Sequence, residues 1–93
     1  MFVGSASIEL LIPQSNSLKS KRQVLKTLKD RLHNKFNVSV AEVDHNDLWQ
    51  RALIGVAVVA NQNNFARQVL SEVLEYIHRE NGIEVINYNI EIL

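Results

Sequence analysis

Apolar and polar positions alternate from the start of the chain. Phe2, Gly4, Ala6, Ile8, Leu10 and Ile12 fall on one parity, and Val3, Ser5, Ser7, Glu9 and Leu11 on the other. A period of two predicts a strand over residues 2–12. Pro13 closes it, and residues 14–16 form the loop that follows. The period then changes. Leu18, Leu25, Leu28, Leu32 and Phe36, with Val24 beside them, recur at spacings of three, four and seven. That spacing predicts an amphipathic helix over 17–36, with Ser17 as N-cap, because its hydroxyl can accept an orphan first-turn amide. Residues 37–43 read as a second strand with Val38, Val40 and Glu42 on one face, and 44–47 as a polar turn. The β-branched run over 49–60 reads as a third strand. A turn and cap at 61–64 lead into a second helix over 65–80. Its core stripe is Ala66, Val69, Leu70, Val73, Leu74 and Ile77, and Glu75 and Arg79 are spaced to pair across one turn. Asn81 and Gly82 supply a left-handed stop. The last strand, 83–93, alternates from Ile86 through Tyr88, Ile90 and Ile92.

The element order is βαββαβ. It predicts an α+β, ferredoxin-like sandwich: a four-stranded antiparallel sheet with two helices on one face, the first and third strands central. Ninety-three residues suit one domain, 1–93. Two helices cover only one sheet face, yet the third strand is apolar on both. Ala52, Ile54, Val56, Val58 and Ala60 share one parity, and Leu53, Ala57 and Val59 the other, beside Trp49 and Arg51. An uncovered apolar face predicts a homodimer, or a larger oligomer, joined through the sheet, or a module that binds a small ligand on that open face. Trp49, Arg51 and Leu53 are its candidate interface residues. The alternative is a modest patch broken by Ser5, Ser7, Glu9 and Arg51, which a monomer tolerates. Trp49 has three roles open to it: covering the sheet end, anchoring a protein interface or stacking a base.

Charge changes this picture. The formal net charge is zero, but residues 17–36 hold seven of the ten basic side chains and one acid, Asp30, a local charge of +6. Three basic and nine acidic residues elsewhere sum to −6. Lys19, Arg22, Lys26, Lys29 and His33 follow helical spacing opposite the apolar stripe. Lys21, Arg31 and Lys35 fall at its border, where long stems cover apolar surface while the charge stays wet. Lys19, Lys21 and Arg22 crowd the first turns, where the helix dipole disfavours cations. A bound anion relieves that conflict. These features predict a non-enzymatic module that binds RNA or a ribosomal particle through Ser17, Lys19, Lys21, Arg22, Lys26 and Lys29. The alternative use of the basic face is solubility alone.

Other chemistry is thinly represented. The chain has no cysteine, which excludes disulfides and thiolate metal sites. No signal-peptide pattern is visible, since Glu9 interrupts the first apolar run. The longest apolar run, 52–60, is too short to span a bilayer. Glu42, Asp44, His45 and Asp47 cluster at the hairpin turn, but such residues more often cap their own backbone, and His45 has no second histidine at ligand spacing. No nucleophile or oxyanion hole accompanies them. No catalytic residue, metal or cofactor is therefore expected. RNA recognition motifs stack bases on sheet aromatics, and the central strands here lack such a pair. An acylphosphatase needs an anion-cradling loop after the first strand. Residues 13–16 have no glycine, and only Arg22 with Ser15, Ser17 and Ser20 imitates that loop.

Two segments carry a family resemblance. Residues 36–61, FNVSVAEVDHNDLWQRALIGVAVVAN, with SLKSKR at 17–22, resemble the YlxP-like family of small uncharacterised bacterial proteins. The likeness covers nearly the whole chain, is most specific over 37–51, and shows no departure from the family pattern. It implies a ferredoxin-like fold and a cytoplasmic protein. Members are often encoded beside translation initiation and ribosome-maturation factors, which implies a ribosome-linked role by association only. The family has no established activity, so the resemblance assigns no catalytic residues.

Overall fold

A computed structural model describes every residue from Met1 to Leu93. The elements are β1 (Phe2–Leu11), α1 (Leu18–Lys35), β2 (Ser39–Asp44), β3 (Arg51–Ala60), α2 (Asn63–His78) and β4 (Glu84–Ile92). The sheet order is β2-β3-β1-β4 and every neighbouring pair is antiparallel. This is the ferredoxin-like arrangement that the hydrophobic pattern predicts, with β1 and β3 central.

Register explains where the core sits. Ala6 faces Val56, Ile8 faces Ile54 and Leu10 faces Ala52 across the β1–β3 ladder. All six are buried, and they join Leu25, Leu28 and Leu32 of α1 and Ala66, Leu70, Val73 and Ile77 of α2 in one cluster. Gly4 permits close approach of α2: a Cβ there would lie 2.9 Å from Leu70 Cδ1.

The ends of α1 follow local chemistry. Ser17 Oγ accepts the Ser20 amide at 3.0 Å, the predicted N-cap. Ser17→Ala is expected to lower stability by about 1 kcal/mol, read as a shift of the denaturant midpoint. At the start of α2 the sequence reading needs correction. The helix begins at Asn63, and its N-cap residue, Gln62, makes no side-chain cap bond. Its far end agrees in part: Gly82 takes the left-handed φ of 83° but Asn81 does not, the helix ends at His78 rather than at residue 80, and Arg79 Nη2 lies 2.9 Å from Glu75 Oε1.

The strand limits also differ: β1 stops at Leu11 rather than at residue 12, β2 runs Ser39–Asp44 in place of 37–43, and β4 runs Glu84–Ile92 in place of 83–93. Residues 49 and 50 leave the ladder, so β3 begins at Arg51. Gln50 is drawn into the crossover instead: its carbonyl accepts the Ile12 amide at 2.7 Å, and its carboxamide donates to the carbonyls of Pro13 and Ser15 at 3.2 Å. In β4 the alternation is not clean from Ile86. The β1 register steps from Glu9–Asn87 to Leu10–Val85, skipping Ile86. This bulge turns Val85 toward the core and leaves Ile86 exposed.

Candidate nucleic-acid interface

The α1 surface separates its cations into two groups. Lys19, Arg22 and Lys26 are exposed and Lys29 is half-buried. Their three-and-four spacing sets neighbours about 5–6 Å apart along one side of the helix. Lys19, Arg22 and Lys29 form no ion pair. Lys26 Nζ lies 3.0 Å from Asp30 Oδ2, but both side chains are exposed, and such a pair is worth little and yields easily to a competing anion. Ser17 stands at the head of the row, half-buried, with its oxygen accepting the cap bond.

Lys21 does not belong to this row, and its placement among the phosphate contacts is overturned. Its side chain is 0 % exposed. Nζ lies 2.8 Å from Glu42 Oε2, 2.7 Å from the His45 carbonyl and 3.1 Å from the Arg51 carbonyl. An ammonium has three donors, and all three are used. Lys21 lies within about 40° of Leu25, Leu28 and Leu32 around the helix, so its stem follows the apolar stripe. Its charge therefore meets the inward-facing Glu42 and the hairpin backbone rather than water. Lys21 ties the first turn of α1 to β2 and β3. The other border cations tie the helix more loosely. Arg31 Nη1 reaches Glu80 Oε2 at 2.8 Å and Oε1 at 3.1 Å, and Lys35 Nζ sits 5.3 Å from the Tyr76 ring centroid.

Two of the three acidic turn residues, Glu42 and Asp44, are also occupied. Glu42 serves Lys21, and Asp44 Oδ1 accepts the His45 amide at 2.8 Å. His45 takes φ 63°, a left-handed conformation uncommon without glycine. Its Nε2 lies 3.3 Å from Glu9 Oε2, and Arg51 Nη2 lies 3.6 Å from the same oxygen. Arg51 thus pairs with an acid of β1 rather than one across the β2–β3 hairpin. No three acidic or imidazole side chains converge as a metal site. Chelator treatment is expected to leave Tm unchanged; a large fall would assign a cation to this turn.

The proposed interface residues divide. Arg51 and Leu53 lie on the sheet face away from the helices, where Val59 is 65 % exposed. Trp49 is 57 % exposed in the bend before β3.

A further feature was not foreseen from the sequence. A groove of about 320 Å³ runs between α1 and the turn joining α2 to β4. Ser20, Gln23, Thr27 and Arg31 line its α1 side, and Glu80 and Asn81 face them. The recurrence of the four α1 residues at successive spacings of three, four and four was visible in the sequence, but the basic row beside them dominates the pattern.

Comparison with known proteins relates the chain to a family. The family model described as "Protein of unknown function (DUF503)" matches residues 3–90. The chain is 41 % identical over 75 residues to the uncharacterized protein YlxP of Bacillus subtilis (strain 168), a match spanning 81 % of this chain and 82 % of that protein. Among solved structures, a de novo designed protein with ferredoxin fold aligns over 100 % of this chain and 84 % of its own, at TM-score 0.54 and 11 % identity. That likeness concerns the fold alone. No helix is long and apolar enough to cross a membrane.

Proposed function

The chain belongs to the DUF503 family of proteins of unknown function, and we propose that it is a non-enzymatic module that binds structured RNA or a ribosomal particle in the cytoplasm. The observation that carries this proposal is the row Lys19, Arg22, Lys26 and Lys29, of which three cations have no ion-pair partner. Lys19 and Arg22 stand in the first turns against the helix dipole, and a phosphate beside them removes that penalty. No aromatic side chain interrupts the row, so its contacts are to backbone phosphates, which position a nucleic acid without reading its sequence. Co-sedimentation with ribosomes, comparing the wild type with a variant in which all four cations become glutamate, tests the proposal.

A second role is supported by a separate observation. Leu53 is half-buried and Val59 exposed on the face that no helix covers, and symmetric self-association would cover both. Light scattering at micromolar concentration is expected to give about twice the monomer mass of 10.6 kDa. A mass near 10.6 kDa would remove this role and leave the first untouched.

A further inference from the structure

We propose that the groove between α1 and the α2–β4 turn binds one unpaired nucleobase of the RNA whose phosphates lie on the basic row, an inference that rests on the RNA-binding role. At about 320 Å³ the groove is at the small end of ligand sites. Its floor is apolar, with Val24 and Leu28 from α1 and Ile83 at the entry to β4. Around that floor stand the carboxamides of Gln23 and Asn81, neither of which has a protein hydrogen-bond partner for its side chain.

The charges at the groove decide what kind of ligand enters. Arg31 and Glu80 neutralise each other across it, at 2.8 Å. The carboxylate of Glu80 opposes a phosphate, so the occupant is neutral. Arg31 uses a single nitrogen, Nη1, on both carboxylate oxygens, which leaves its other donors and its planar face available. A carboxamide presents a donor and an acceptor side by side, the complement of a base edge. An apolar floor and a guanidinium plane suit a base face. A neutral, flat ligand with alternating donors and acceptors is a nucleobase. It must be unpaired, because pairing occupies the edge that the carboxamides would meet.

Placement links the groove to the row. Gln23 is one residue from Arg22, about 40° around the helix from Lys19 and about 60° from Lys26. A nucleotide with its phosphate on Lys19 or Lys26 can turn its base over the top of α1 and down past Gln23.

The test uses the full chain in two arms. Isotope-labelled protein is titrated with AMP, GMP, CMP and UMP, each alone. At least one is expected to shift the side-chain amide signals of both Gln23 and Asn81 saturably, and the double variant Gln23→Ala/Asn81→Ala should weaken that binding about tenfold. In the second arm, an RNA duplex with one bulged nucleotide is expected to bind the wild type about tenfold more tightly than the same duplex without the bulge. The variant should lose this preference yet keep its affinity for the flush duplex. Backbone amide spectra confirm that the variant is folded, since neither carboxamide supports another residue. Shifts confined to Lys19, Arg22 and Lys26, or a bulge preference that survives in the variant, would overturn the proposal. If neither duplex binds while mononucleotides still shift Gln23 and Asn81, base recognition by the groove stands and the RNA-binding role fails.

Discussion

Lys21→Ala is expected to destabilise the protein by about 3–5 kcal/mol, the usual consequence of removing one partner from a buried ion pair. For a domain of this size that is a fall in Tm of roughly 12 °C or more. The cause is specific. Without Nζ, Glu42 loses its cation, and the carbonyls of His45 and Arg51 lose a donor. The buried stem leaves a gap as well. The paired change Lys21→Met/Glu42→Leu should recover a substantial part of the loss, because no carboxylate is then stranded and the volume is refilled. It should not recover all of it, since the two carbonyls stay without the ammonium. Denaturant unfolding monitored by circular dichroism checks both variants. A Lys21→Ala protein within about 1 kcal/mol of wild type would show that this ammonium is in water, and Lys21 would return to the set of surface cations.

The second large effect falls on binding, with the fold left intact. Changing Lys19, Arg22, Lys26 and Lys29 together to glutamate should abolish co-sedimentation with ribosomes. Stability should stay near that of wild type, because none of the four is fully buried and the one ion pair they make, Lys26–Asp30, is exposed. Glutamates at 19 and 22 also suit the positive end of the helix dipole better than the native cations do. Unchanged co-sedimentation by a folded quadruple variant would remove the basic row from the account. The Lys21→Met/Glu42→Leu protein is the matching control: it alters a cation of the same helix that no phosphate reaches, so its binding should equal that of wild type.

Much of the fold was legible because its cues are local. The strand period over 2–12, the leucine spacing of α1 and the glycine at 82 each act within a few residues, and the topology follows from their order. The misplaced start of β3 and the break in β4 came from non-local bonds. Gln50 leaves β3 because Ile12, Pro13 and Ser15 bind it, and no pattern around residue 50 reports partners more than thirty positions away. Ile86 falls out of alternation because of a bulge that belongs to the pairing of β4 with β1. Lys21 shows the same limit at the candidate site. Sequence spacing put it at the stripe's edge, but whether a border lysine snorkels outward or turns inward depends on what lies beneath it. Here Glu42 and two hairpin carbonyls lie beneath it, and only the assembled sheet brings them there. The basic row was legible because three of its cations have no ion-pair partner and Lys26 has only an exposed one on its own helix, so helical periodicity alone aligns them.

The salt dependence of wild-type binding to a structured ribosomal RNA fragment tests the phosphate contacts of the α1 row most directly. Four contacts predict a log–log slope of roughly −2.8 to −3.6, which is a loss of about 50- to 150-fold in affinity between 50 and 200 mM salt. A slope near zero, or a steep slope that the four-glutamate variant retains, would contradict it.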